Sequence, residues 1–370
     1  MAWRNTFLIR FGTGLLGGIT FGDWVKLVRD NAASFDPYCI PRAMAITFQS
    51  GQNSAFHLYE NWRFAGKLDD VTVEPPIFVL GHWRSGTTHL HNLLTVDERF
   101  AFPNTYQTFF PHHFMSTEAA SSRIIGFFLP RQRPMDNVEL NMHTPQEDEF
   151  ALCISSLKSP CMSWVFPEQS DHYDRYLTFR DVAENEITQW QDALMRFLKK
   201  LTWKYDRPLV LKSPPHTGRI RLLLKMFPQA KFIHIHRDPY TVFQSSRKMF
   251  KVNFEMQRLQ RIRPDDFDDW ILRQYRQMYD AFFQERSLIP SGQFHEIGYE
   301  ELERDPMGQI RQVYDALNLP NFAQTEAALQ RYVSSIANYK KNEFADLPAD
   351  LRNRISAKWA RCFDEWDYPV

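Results

Sequence analysis

Four short apolar runs constrain this chain more than any other feature: "IFVLG" (77–81), "PLVLK" (208–212), "KFIHIH" (231–236) and "QFHEIG" (293–298). Each is followed by sequence with a helical pattern. Near-continuous apolar strands alternating with helices predict a parallel sheet covered on both faces. The expected fold class is therefore α/β, with a central parallel sheet flanked by helices. Ligands in such sheets sit off the carboxyl ends of the strands. Each of the first three runs ends in chemically capable residues: Gly81 to Thr88, Lys212 to His216, and Arg237 with Asp238.

Around these runs the chain divides into an expected N-terminal helical extension (1–70) packed on the core and a main domain (71–370). A mostly helical insertion at about 95–207 is the natural place for substrate recognition. With 44 basic and 44 acidic residues the formal charge is zero, so nucleic acid is not an expected partner and any anion site must be local. The four cysteines show no zinc spacing, and a chain of 370 residues needs no disulfide staples, so free thiols are expected. The N-terminal stretch "MAWRNTFLIRFGTGLLGGITFGDWVKLV" is interrupted by Arg10 and closed by Asp23 and Lys26, which leaves no run of ~18 apolar residues. A cytoplasmic protein is expected, with peripheral membrane contact through this segment left open and a helix packed on the body of the protein as the plainer alternative. The oligomeric state is not legible.

The stretch "GHWRSGTTHLHNLL" (81–94) reads as a strand that breaks into a tight loop and opens a helix. Gly81 and Gly86 permit the turn, and the helix from about Thr87 offers free N–H groups and its positive dipole end to an anion. A nucleoside-triphosphate loop carries lysine directly after its second glycine, where this chain has Thr87. The cation stands three residues earlier, at Arg84, an arrangement that suits one phosphate bearing a different transferable group. The third strand end supplies a second anion grip, Arg237 with Ser245 two helical turns on. The competing reading pairs Arg237 with the neighbouring Asp238.

"GHWRSGTTHLHNLL", "LVLKSPPH", "FPQAKFIHIHRDPYTVFQSS" and "HEIGYEELERDP" together resemble the sulfotransferases that use 3'-phosphoadenosine 5'-phosphosulfate (PAPS), over about 77–306. The loop is most similar to the carbohydrate and broader bacterial branches; cytosolic members more often carry lysine at the Arg84 position. The resemblance implies a P-loop-like three-layer sandwich. It also implies that Arg84, Ser85, Gly86, Thr87 and Thr88 hold the 5'-phosphosulfate end, and that Arg237 and Ser245 hold the 3'-phosphate. No metal is required, the product nucleotide is adenosine 3',5'-bisphosphate, and the acceptor is a hydroxyl or amine on a small molecule, lipid or glycan. A P-loop small-molecule kinase and a catalytically silent nucleotide-binding module are the alternatives.

In-line sulfuryl transfer is helped most by cations near the leaving oxygen, which points to Arg84 and Lys212. The general base is expected to be His216 in "KSPPH" or, ranked just below it, Glu147 in "HTPQEDEF". A structural reading competes for Glu147: Thr144 as helix N-cap, Pro145 at the first helical position and Glu147 completing a capping box. Of Glu147, Asp148 and Glu149, the helical projection makes Glu147 the least solvated. The basic stretch 247–263 reads as a solvated helix face or a lid, with Arg247 and Lys248 within reach of the 3'-phosphate site, as Lys340 and Lys341 also are. His89, His91, His112, His113, His234 and His236 lie in separate segments without a third ligand, so no metal site is expected.

Overall fold

A computed structural model describes residues 12–31, 34–128, 141–261, 267–337 and 344–370. Lys340 and Lys341 lie outside the described residues. Two compact units emerge, one of Met1–Val73, Pro103–Asp206 and Met249–Asp265, the other of Glu74–Phe102, Arg207–Lys248 and Asp266–Val370.

The second unit holds the sheet. Strands β1 (Ile77–Leu80), β2 (Val210–Lys212), β3 (Lys231–His236) and β4 (Phe294–Gly298) pair in the order β2-β1-β3-β4. All three pairings are parallel, as the buried apolar runs predict. The register aligns Val79 with Lys212 and Leu80 with His234, so Gly81, Lys212 and Arg237 leave the sheet at the same edge.

Alternation along the strands assigns each face a layer. Ile77 and Val79 of β1, Ile233 and Ile235 of β3 and Ile297 of β4 pack against Leu90, Leu93 and Leu94 of the Thr87–Leu94 helix and against Ile310, Val313 and Leu329 of later helices. The opposite face is aromatic. Phe78 stacks on Phe232 at 5.6 Å, and His234 stacks on Phe282 of the Phe267–Glu285 helix at 4.2 Å. Helix, sheet and helix make the expected three-layer sandwich.

The first unit is helical, built mainly from Phe21–Asn31, Ile40–Phe64, Phe114–Phe128, Asp148–Ser156 and Glu184–Tyr205. Trp190, Leu194, Phe197, Leu198 and Leu201 of the last helix are buried in its core. An ion pair is buried there too. Lys200 Nζ meets Glu60 Oε1 at 2.7 Å and also donates to the carbonyls of Pro111 and His112. All four cysteines are buried free thiols.

The capping-box reading at Thr144–Glu147 does not hold. The helix begins at Asp148, and Glu147, its N-cap, makes no side-chain capping bond. The backbone of 144–146 is already committed as a short bridge. Thr105 N donates to Thr144 O at 3.0 Å and Gln146 N to Pro103 O at 2.9 Å, which keeps this segment extended. The capping box forms across that bridge instead. Asn104 and Gln107 cap each other's backbone N–H reciprocally, at 2.9 and 3.1 Å.

Candidate active site

The loop after β1 is shaped by backbone conformations that few side chains tolerate. Gly81 has φ 139° and Gly86 φ 102°, and a Cβ on Gly81 would stand 2.5 Å from the Ile235 carbonyl of β3. Only glycine lets the loop approach the neighbouring strand so closely. Gly81 N donates to Thr217 Oγ1 at 2.7 Å, and Ser85 folds back so that its N and Oγ both donate to His82 O. Gly86 then caps the Thr87–Leu94 helix, whose first N–H groups have no intrahelical acceptor.

Arg84 adopts φ 72°, a left-handed conformation that costs about 1–2 kcal/mol for an L-residue. Two contacts compensate. Its Nε donates to Ser245 Oγ at 2.8 Å, and its carbonyl accepts from Arg237 Nη1 at 3.3 Å. Arg84, Arg237 and Ser245, distant in sequence, are thus one hydrogen-bonded cluster joining the ends of β1 and β3. The Arg237 guanidinium also lies 4.0 Å above the ring centre of Tyr299, the first residue after β4.

Asp238 is not the partner of Arg237. Its carboxylate accepts from Thr241 N at 2.8 Å and from Thr241 Oγ1, and so serves the start of the Pro239–Gln257 helix. Lys212, buried at the end of β2, brings its Nζ to 3.5 Å from Thr88 Oγ1. Two guanidiniums, a buried ammonium, three hydroxyls and a helix N-terminus make a donor set suited to phosphate and sulfate oxygens. Two neighbouring histidines, His82 and His236, are shifted by burial towards the neutral form. Burial drives the His82 pKa down to about 3 against the opposing effect of its bond to Trp83 O, and burial likewise brings His236 to about 4.

The two proton-acceptor candidates lie in different units. His216 is wholly buried, with its ring edge-on to Phe78 at 5.4 Å on the aromatic face of the sheet. Glu147 is buried at the entrance of the Asp148–Ser156 helix. The ranking of the three acids by solvation reverses, because Asp148 and Glu149 are buried more deeply than Glu147. Glu149 Oε1 accepts from Ser159 Oγ at 2.6 Å, which explains how an acid in this first turn is accommodated inside. Arg247 is engaged by Asp268, 2.8 Å from its Nε.

Sequence reasoning passed over Thr217 and Tyr299. Each follows directly from a recognised strand end, Thr217 after "KSPPH" and Tyr299 after "HEIG", and position at the sheet's carboxyl edge was the signal that marks them.

A model of the sulfotransferase family matches residues 75–324. The chain is 36% identical over 352 residues, 95% of its length and 90% of the relative's, to omega-hydroxy-beta-dihydromenaquinone-9 sulfotransferase Stf3 of Mycobacterium bovis, and equally to its Mycobacterium tuberculosis counterpart. Sulfotransferase STF9 from Mycobacterium avium has a similar fold, with a TM-score of 0.73 at 23% identity, covering 95% of this chain and 92% of that one. STF1 from Mycobacterium tuberculosis superposes with a TM-score of 0.68 at 19% identity over 92% of each chain. The kinase and silent-module readings give way: the chain belongs to the sulfotransferase family and transfers a sulfuryl group from a sulfate donor to an acceptor.

Proposed function

We propose that the donor is PAPS, with its 5'-phosphosulfate on Arg84, Ser85, Gly86, Thr87 and Thr88 and its 3'-phosphate on Arg237 and Ser245. The observation that carries this reading is the cluster in which Arg84 Nε meets Ser245 Oγ at 2.8 Å and Arg237 meets the Arg84 carbonyl. A single residue, Arg84, thereby links the two proposed anion grips, through its side chain to Ser245 and its backbone carbonyl to Arg237, as suits a donor with phosphates at both ends of one nucleoside. The donor supplies the sulfuryl group, and the chain's own residues orient it and neutralise charge. Lys212 and Arg84 take up the negative charge that develops on the departing 5'-phosphate. His216 or Glu147 accepts the proton of the attacking hydroxyl. No metal is needed, because cations and N–H groups do the work that magnesium does for a triphosphate.

The acceptor in this reading is the hydroxyl of a lipid-like alcohol. The 36% identical relative is named for a hydroxylated menaquinone, and this chain is rich in aromatic residues, 31 Phe among them. The reaction runs in the cytoplasm.

The test is turnover of PAPS with polyprenyl alcohols and hydroquinones against sugars of similar size, read as release of adenosine 3',5'-bisphosphate. Preferential sulfation of the prenyl acceptors supports the reading, and preference for the sugars refutes it. His216→Asn and Glu147→Gln identify the base: the true one loses ~100-fold or more in kcat, the other keeps most of it.

A further inference from the structure

The helix Ile40–Phe64 is inside out. Its inward face carries Arg42, Ile46, Ser50, Asn53, Glu60 and Phe64, all buried, and four of the six are polar or charged. Each of those four has a hydrogen-bond partner. Arg42 donates to Arg258 O, Ser50 to Thr47 O, and Asn53 to the carbonyls of Gly17 and Ile19, while Glu60 pairs with Lys200 and accepts from Ser116 N.

The outward face is the apolar one. Ile40, Met44, Phe48, Leu58, Tyr59 and Trp62 fall within about 100° of the helix circumference, opposite the buried set. Met44 is 68% exposed, Phe48 72%, Leu58 69% and Trp62 76%. Taking ~200 Å² for a large apolar side chain, the stripe exposes roughly 750 Å², above the few hundred typical of a monomer's largest patch. Phe21 and Val25 of the adjoining Phe21–Asn31 helix add to it.

We propose that this face is a lipid-docking surface that seats the protein on a membrane. Two observations favour lipid over a second copy of the chain. The only carboxylate of the helix, Glu60, is turned inward, and the charge left on its exposed surface is the cation Arg63, which complements an anionic headgroup layer. Tyr38 at the start of the stripe and Tyr59 and Trp62 at its end put amphipathic rings where they suit the headgroup boundary. The proposal deepens the reading of a lipid-like acceptor, which it would bring to the enzyme in its own phase.

The test is flotation of the full chain with vesicles of phosphatidylcholine, with and without phosphatidylglycerol. The comparison is the quadruple variant Met44→Gln/Phe48→Gln/Leu58→Gln/Trp62→Gln, with Phe48→Glu as a single change that keeps the rest of the stripe. Wild type should float, better with phosphatidylglycerol, and the variants should partition at least tenfold less. Their turnover of a short water-soluble alcohol should be unchanged, and Leu288→Gln, an exposed leucine elsewhere, should behave as wild type. Equal flotation of wild type and variants overturns the proposal. So does a wild-type dimer in sedimentation that the variants dissolve, which would make the occupant a second copy. Sulfation of a prenyl acceptor in detergent by a chain that never floats would refute the surface and keep the acceptor, whereas flotation without such turnover would do the reverse.

Discussion

Gly86→Ala probes the architecture of the donor loop more sharply than removal of any charge. At φ 102° an alanine carries a penalty of about 1–2 kcal/mol from backbone conformation alone. Its Cβ would also stand 2.3 Å from Cδ2 of Tyr299 and 3.2 Å from Cδ1 of Ile235, well inside the ~3.5 Å of ordinary carbon contact. The Tyr299 ring must swing aside, and it is the ring over which Arg237 lies at 4.0 Å. Losing that cation–aromatic contact adds about 0.5–2 kcal/mol, for a total of about 1.5–4 kcal/mol of stability. Arg237, no longer held, should lose much of a charge-assisted phosphate bond worth about 1.5–3 kcal/mol. Affinity for adenosine 3',5'-bisphosphate should then fall ~10- to 100-fold. Gly292→Ala, in the same unit with φ 78° and nothing within 4 Å of the added carbon, isolates the conformational penalty. Urea unfolding and calorimetric titration of both variants separate the effects. If Gly86→Ala costs no more than Gly292→Ala and binds the bisphosphate normally, Tyr299 is not the wall described and the reasoning fails.

Other consequences are independent of that loop. On the role proposed for it, neutralising the leaving phosphate, Lys212→Ala should lower kcat ~100-fold or more while moving the KM for the donor little; a change confined to KM would contradict that proposal. Glu60→Gln should cost about 3–5 kcal/mol by stranding Lys200, a burden the double replacement Glu60→Met/Lys200→Met should largely relieve; a cost below about 1 kcal/mol would show that the pair carries little. Burial raises the Asp97 pKa, but hydrogen bonds from Arg99 and Tyr314 more than offset it and hold the group at about 2. A depressed carboxylate stabilises above its unfolded value of about 4 and loses that contribution as pH falls through about 2. Asp97→Asn should therefore cost about 2–3 kcal/mol at neutral pH, a difference that closes towards pH 2; a constant difference across that range would refute the assignment.

The sheet was legible because buried parallel strands read as apolar runs too short for helices, such as "KFIHIH", ending in polar residues at one edge. The tight turn after β1 was legible for a related reason: Gly81 and Gly86, at positive φ, are demanded by backbone geometry and local in sequence. What lay beyond reach was contact between distant segments. Nothing in "HTPQEDEF" reveals that 144–146 is held extended by 103–105, so a locally sound capping box was displaced by a pairing 40 residues away. The same holds for Arg237, whose competing pairing with the adjacent carboxylate could be set aside only once Asp238 was seen engaged by Thr241. Tyr299 stood at a recognised strand end, but an aromatic there has no spacing that singles it out. The outward apolar stripe of Ile40–Phe64 was hidden because periodicity reports that a helix is two-faced, not which face is turned in.

The central claim is that the edge of the sheet formed by Gly81–Thr88, Lys212, Arg237 and Ser245 holds a nucleoside carrying phosphates at both its 3' and 5' positions, without a metal. Calorimetric titration with adenosine 3',5'-bisphosphate and with ADP, each with and without magnesium, tests it most directly. The account predicts tight binding of the bisphosphate that magnesium does not change, weakened at least tenfold in Arg237→Ala, with ADP binding weakly. Preference for ADP with magnesium, or an Arg237→Ala chain that binds the bisphosphate as wild type does, would contradict it.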